Sequence, residues 1–544
     1  MMKKTRIQHT LWLLAAAFGL AGCADSSTSD NKSEYLVVQV DLNDNWSIID
    51  AKGEYVVKEE FAPGEEVSQV YGKLFWVKSG EKIQLYSIDS PKKPLNDEEY
   101  TGVTAFCAGR AAVCNGKEPI QIINTEGSVV ATLPRDICRV MTYKPCGLAP
   151  IMKNDGKMGW IDRNGVVMAE GYETVNIAND PIIVARQDPA TDTFYLILDE
   201  KGQKLGKIEA SKYEWGAFSE GLCAQQNGEE EDRWLTYIDK EGKEVLKVKK
   251  ARSGSDFLDG FARVWNAEGR EGIINKEGEL LIRPKYNTIQ NLGQGMFLAR
   301  KMNSDNWGVI NDKDETIVSF EYSDYYHGRL GDNFILKDGE LWTVIGMDGK
   351  AAFKESFASI ANGAISDLVE YIDIESAVNH VLDDIVNQDF ALTPSLFVKQ
   401  QSAADALDIE EVAKSSSKQF RNQGLVSGLS FVHYFNFKGC LAEEKTHEVQ
   451  KNDGWFTTTE RVSDGYQWTN HKLNDCGYDI TIASYSFSQA DIEKFIDKKA
   501  REMGLQRDNN YHGMPQWTKK DGKELVRLFY RMTDDILAIA TIKE

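Results

Sequence analysis

The sequence predicts a mostly β repeat array, open superhelical or propeller-like, followed by an α+β C-terminal domain. Three observations predict it. A phrase of two apolar residues, Asp or Asn, two polar residues and Gly recurs about every 37 residues through the first two thirds of the chain. Between copies lie short, partly alternating apolar runs, as half-buried strands require. Past residue 350 that texture gives way to helical spacing and longer alternating runs. The 544 residues are 42% hydrophobic and 27% charged, which excludes wholesale disorder. With 63 basic against 84 acidic residues the formal charge is −21. Most of such a surface repels nucleic acid, so no nucleic-acid partner is expected.

The N-terminus comes first. Lys3, Lys4 and Arg6 precede an apolar run from Leu11 to Ala21. Eleven helical residues rise only about 16 Å, too short for a bilayer core of roughly 30 Å. Residues 1–22 therefore read as a secretory signal peptide. The run closes on Leu20-Ala21-Gly22-Cys23, which resembles the bacterial lipobox. The resemblance implies cleavage before Cys23 and acylation of its thiol. The mature chain is then a lipoprotein of the bacterial cell envelope, with the outer membrane the expected site and its face left open. Contact with the membrane is expected through the lipid anchor only. Residues 23–34 are mostly small and polar and suit a flexible tether.

Residues 35–352 carry the repeats, about nine units of 35–40 residues. The Asp or Asn anchors are Asp50, Asp89, Asn124, Asp162, Asp199, Asp239, Asn275 and Asn311, with Gly346 in the last copy. An aromatic follows most anchors, as at Tyr172, Tyr286 and Tyr322, and a Phe-x-x-Gly phrase precedes several, as at Phe106, Phe218 and Phe257. Asp/Asn-x-x-Gly after an apolar pair is hairpin chemistry: the side chain closes the turn and Gly supplies positive φ. One unit cannot bury its own apolar face, so neighbours must stack, with Trp and Tyr filling the joints. A calcium-binding turn would need several carboxylates at alternate positions. Each turn offers one or two, interrupted by Lys or Arg, so no metal is expected. Propellers usually close with four to eight blades. Nine units of this length favour an open, twisted superhelix or an incomplete ring.

Two copies carry a resemblance. Gly156-Lys157-Met158-Gly159-Trp160-Ile161-Asp162 and Asn306-Trp307-Gly308-Val309-Ile310-Asn311 resemble the bacterial WG repeat, whose hallmark is Trp-Gly before an apolar-Ile-Asp turn. Arg283-Pro284-Lys285-Tyr286 matches its Pro-x-Tyr segment. The resemblance spans roughly residues 35–350. It implies an interaction module without known catalysis, and no residue-specific binding role carries over.

Residues 353–544 read as an α+β domain of no recognised family. Ile374, Val378, Val381, Leu382 and Ile385 keep helical spacing after Asp373, a plausible N-cap. Thr393-Pro394 marks a second helix start. Strands are expected over 429–437 and 478–485. Ser488 with Asp491 resembles a capping box before a helix that ends at Gly504. Asp521-Gly522 and Asp534-Asp535 mark turns between three closing strands.

Seven cysteines remain after Cys23, an odd number, and no Cys-x-x-Cys occurs. A disulfide between Cys440 and Cys476 is possible, because they are the domain's only cysteines and the compartment is oxidising. His380, His433, His447, His471 and His512 cluster in this part without metal-ligand spacing. No nucleophile elbow or Walker loop is present. No catalytic, cofactor-binding or metal residue is assigned, and no cofactor. The expected function is that of a lipid-anchored envelope binding or scaffolding protein, its β-repeat surface taking a protein or glycan ligand. The alternatives are an envelope enzyme with catalysis in the C-terminal domain, and a structural spacer.

Overall fold

The computed structural model describes residues 32–387 and 419–543, apart from short stretches at 117, 190, 213–215, 229–232, 249–250, 427, 438–441, 453–456, 469–472, 484, 486 and 523. The chain divides into two compact units, with the main division between Tyr371 and Ile372; residues 153–156 group with the second.

The first unit is built of small, largely antiparallel blades, each its own sheet except blades 7 and 8, which share one of seven strands. Blade 1 holds Tyr35–Gln39, Trp46–Asp50 and Tyr55–Phe61. Blade 2 holds Glu66–Val67, Leu74–Ser79 and Lys82–Ser87, and blade 3 runs from Gly102–Val103 to Val129–Thr132. Blade 4 runs from Ile137–Met141 to Val167–Tyr172, blade 5 from Thr174–Asn176 to Lys204–Glu209, and blade 6 from Cys223–Asn227 to Glu244–Val248. Blades 7 and 8 are joined by one long strand, Leu280–Asn291, which closes the first and opens the second. Blade 9 holds Asp324–Leu330, Asn333–Asp338 and Leu341–Ile345.

Local chemistry makes these blades. In the turn between third and fourth strands the anchor side chain caps its own loop. Asp50 Oδ1 accepts from the amides of Lys52 and Glu54, both at 2.9 Å. Asn124, Asp162, Asp199, Asp239 and Asn311 repeat the pattern. The fourth turn residue is left-handed: glycine at 53, 127, 165, 202, 242 and 278, but Asp314 at φ 66° in blade 8. The strand register shifts beside these turns, so each is a bulged hairpin. The Gly three residues before the anchor, Gly159 and Gly308, has a second reason. A Cβ on Gly159 would sit 2.3 Å from the Ala169 carbonyl oxygen, and one on Gly308 would sit 2.8 Å from that of Val318. Only Gly lets the bulged fourth strand approach that closely.

The array closes, which corrects the expectation of an open superhelix. Nine buried apolar clusters join consecutive blades, from blades 1 and 2 round to 8 and 9, and the last joins 9 to 1 through Leu36, Val38, Ile335, Val344 and Phe357. Two chain segments seal that seam. Lys32–Ser33 pairs in parallel inside Asp324–Leu330 of blade 9. Residues 351–357 then run along the outer strand of blade 9, with Phe357 and Trp342 exchanging backbone bonds. The chain turns inward, and Ser359–Ile360 supplies the missing inner strand of blade 1. It passes Gln69 of blade 2, and Leu368–Glu370 lies inside the inner strand of blade 4. The strap 351–371 thus belongs to the ring, and the array extends beyond 352. Its apolar residues Phe353, Phe357, Ala361, Val369 and Tyr371 are buried in or packed against inter-blade cores.

The second unit is a seven-stranded antiparallel sheet. Its order is Gln419–Val426, Leu429–Phe437, Leu473–Thr481, Ile536–Lys543, Glu524–Met532, Met514–Asp521 and Gln506–Tyr511. Helices Ile374–Asn387 and Gln489–Glu502 bury Val378, Val381, Ile492 and Ile496 against one face. Asp373 caps the first helix, accepting from the Ser376 amide at 3.1 Å. Ser488 is the N-cap of the second but makes no side-chain cap bond, so the expected capping box does not form. Asp is one methylene shorter than the Glu that completes that motif. Four strands, not three, follow this helix. The Thr393-Pro394 helix start lies outside the described residues.

Candidate functional site in the channel of the ring

The short first strands of the blades face the ring axis, because they hydrogen-bond from blade to blade. Asn176 Nδ2 donates to the Gly216 carbonyl at 3.1 Å, and the Ala217 amide donates to Asp256 Oδ1 at 3.0 Å. The hairpins that follow these strands crowd round one mouth of the channel. Residue pairs Ala108-Gly109, Glu220-Gly221, Asp259-Gly260 and Gln294-Gly295 all have positive φ, the type I′ geometry of a two-residue hairpin. This is what the recurring Phe-x-x-Gly phrase encodes.

Side chains on these hairpins tie each blade to the next. Asp180 accepts from the amides of Glu220 at 3.1 Å and Gly221 at 2.6 Å. Glu220 accepts from the Gly260 amide at 3.1 Å, and Asp259 from the Gln294 amide. Gln294 accepts from Arg329, which donates to the Asp332 carbonyl at 2.7 Å. Asp332 then pairs with Lys32 Nζ at 2.7 Å. A belt of polar contacts thus runs from blade 5 through the closing seam and fixes the mouth.

Near it lie Lys144, Cys146, Asp180 and Asp256, linked in sequence by charge: Lys144 and Asp180 act on Cys146, and Asp180 on Asp256. All four are half-buried: solvent reaches them, yet protein surrounds them. Burial pulls the Lys144 ammonium down, opposed by Asp367 on the strap. Burial pushes the Cys146 thiol up, and its Sγ–H meets the Ala178 carbonyl at 3.4 Å. Burial pushes Asp256 up to about 6 against the Ala217 amide and the Arg263 charge, with Asp180 adding to the rise. A cation, a thiol and two carboxylates in low-dielectric surroundings form a polar recognition site; the raised thiol is a poor nucleophile. Sequence reading missed these residues, because they lie in the variable stretch between the repeat landmarks and no phrase marks them. The one available signal was the phase of the Phe-x-x-Gly hairpins.

Other places carry less. Among the described residues, no group of three His, Cys, Asp or Glu side chains is placed to hold a metal ion. Among the described residues, Cys114, Cys146 and Cys223 carry free thiols. Glu271, at the Trp position of its repeat, is buried but bonded to Trp265 Nε1 at 3.0 Å and to the Ile289 amide at 2.7 Å, so packing absorbs it. In the second unit a hollow of about 590 Å³ is lined by Glu375, Lys494, Phe495, Asp497, Lys498 and Arg501. Arg501 pairs with Asp497 at 2.7 Å and Lys498 with Glu375 at 3.5 Å, so its charges neutralise one another. Cys23 and the Cys440–Cys476 pair lie outside the described residues, although Cys476 itself sits on Leu473–Thr481 opposite Phe435 and Thr541.

Residues 272–303 match the WG containing repeat family. They comprise the end of blade 7 and the start of blade 8, so the sequence repeat straddles two blades. A search of curated proteins found no match. Among solved structures the chain is similar to BamB from Moraxella catarrhalis, at 10% identity and TM-score 0.27, over 50% of this chain and 94% of that one. It is also similar to the dihydro-heme d1 dehydrogenase NirN, at 11% and 0.31, over 54% and 74%. Hsv2 of Kluyveromyces lactis stands at 9% and 0.26, over 59% and 95%. Likenesses this remote say nothing of what this chain binds.

Proposed function

We propose that this chain is a binding or scaffolding protein of the bacterial cell envelope, anchored through acylated Cys23, with the ring as its ligand-bearing part. The observation that supports this most is the channel mouth. Lys144, Cys146, Asp180 and Asp256 lie near it, linked by charge, in a ring cross-tied from blade to blade, so they are preorganised and a ligand meets little ordering cost. A mouth with both signs of charge and hydrogen-bonding groups suits a peptide segment or a glycan. The test is retention of envelope proteins and glycans by the immobilised full chain and by Lys144→Ala and Asp256→Asn variants that remain folded at the assay pH. Ligands held by the parent and lost at least tenfold by both variants support the channel site. Equal retention by parent and variants rules it out. The anchor is tested separately: Cys23→Ser should abolish acylation and detergent partition, and an unchanged mass would exclude the lipobox assignment.

A further inference from the structure

Lys32–Ser33 lies inside the inner strand of blade 9 and pairs with it in parallel, Lys32 beside Arg329 and Ser33 beside Leu330. That inner strand, Asp324–Leu330, runs from the far face of the ring towards the mouth hairpin at Gly331-Asp332. The chain therefore reaches Lys32 from the far side, and its N-terminal end belongs to the face opposite the mouth. Arg329 is five residues past Asp324, so the far rim lies at most about 17 Å behind Lys32. Only Ala24–Asn31 separates Cys23 from Lys32. Eight residues reach roughly 28 Å fully extended. With Cys23 acylated, the far rim of blade 9 is held within on the order of 10 Å of the lipid.

The same rim carries a second, independent feature. Antiparallel order puts the loops between second and third strands on the far face. Three adjacent blades expose large aliphatics there: Val40 and Leu42 in blade 1, Met302 in blade 8 and Leu341 in blade 9. Leu42 is 65% exposed. Among the described residues, the corresponding loops of blades 2 to 7 expose none. On the mouth face, by contrast, Val56, Val129, Val166, Val245 and Met347 are scattered over blades 1, 3, 4, 6 and 9. The far-face patch is thus centred on the blade beside which the N-terminal end enters. Two lysines border it with their stems along aromatic rings. Lys301 Nζ lies 4.0 Å over Phe320, and Lys337 Nζ lies 5.5 Å over half-buried Trp342, the residue after Leu341. Aliphatic tips with Trp and Lys beside them suit a membrane–water interface.

From these observations we infer that the far-face loops of blades 8, 9 and 1 rest on the membrane that holds acylated Cys23, and that the channel mouth faces away from it. The inference rests on the anchoring at Cys23 proposed above and adds a second contact to it. A ligand of the mouth then approaches from the aqueous side. Asp41, Asp44, Asp305 and Glu340 stand in the same loops. Anionic lipids repel these carboxylates, whereas the ammonium of phosphatidylethanolamine attracts them, so a zwitterionic surface is the one that fits.

The experiment uses the acylated full chain in phosphatidylethanolamine–phosphatidylcholine vesicles. Single substitutions Leu42→Cys and Leu341→Cys on the far face, and Val129→Cys and Val245→Cys on the mouth face, receive a polarity-sensitive dye. The unsubstituted protein, treated alike, sets the background. All four positions are exposed, so none of the changes burdens the core. Dyes at 42 and 341 should shift to the blue and be quenched by lipid-borne quenchers, while those at 129 and 245 stay as in solution. Quenching at 129 or 245, or its absence at 42 or 341, while the protein still sediments with vesicles, overturns the orientation and leaves the anchor standing. Failure to sediment, with Cys23→Ser behaving identically, overturns the anchor and this inference together.

Discussion

Phe357 tests whether the array is a ring. It lies on the outer edge of blade 9, and its backbone exchanges bonds of 2.7 and 2.8 Å with Trp342. Its side chain is buried between the last blade and the first. A buried Phe removes about 150 Å² from water, and at roughly 25 cal/mol per Å² the transfer term alone approaches 4 kcal/mol. Allowing for partial collapse of the cavity, Phe357→Ala should cost about 3–5 kcal/mol. In a closed ring that loss falls on the seam and loosens both end blades. In an open array it would only fray a terminus, at little cost to the rest. The assay is urea unfolding followed by tryptophan fluorescence, with Phe297→Ala, buried between blades 7 and 8, as the interior control. With an m-value near 3 kcal/mol/M, both midpoints should fall by about 1–1.7 M. A full loss for Phe297→Ala beside less than about 1 kcal/mol for Phe357→Ala would refute closure.

Three further outcomes are expected. Gly159→Ala forces a Cβ to 2.3 Å from the Ala169 oxygen and should cost more than about 3 kcal/mol in thermal melts, whereas Gly269→Ala, with nothing within 4 Å, should cost only its backbone strain of about 1 kcal/mol. Asp239→Ala removes the acceptor for the amides of Glu241 and Lys243 and should lower stability by about 1–2 kcal/mol in the same melts. Asp256 holds its proton longer in the folded chain than in the unfolded one, with a folded value of about 6 against 3.8. Stability should therefore fall as pH rises from about 4 to about 6, by up to about 3 kcal/mol, and stay at that lower level above. Melting temperatures across that window should flatten in Asp256→Asn, and a parent profile already flat there would refute the assignment.

What could be read from the sequence was whatever a few neighbouring residues decide among themselves. The anchors at Asp50 or Asp239 announce their turns because the side chain bonds amides two and four residues on, a contact that needs nothing distant. The helix at 374 was legible for the same reason, through its Asp373 cap and its spacing, and the helix at 489 through spacing alone. The channel site was not, because Lys144, Asp180 and Asp256 come near one another only once separate blades have assembled. Closure was hidden differently. The strap from 351 to 371 carries no repeat phrase, and its apolar residues are single and unevenly spaced, each destined for a different joint. That same strap answers the objection that nine blades are too many. A ring widens at its centre with each added blade, and a wide centre leaves inner strands unpaired on one edge. Leu368–Glu370 fills that edge in blade 4 and Lys32–Ser33 in blade 9, while Ser359–Ile360 supplies the inner strand that blade 1 otherwise lacks. The ends of the array are thus its wedges, and the unit count becomes compatible with closure only once they are included.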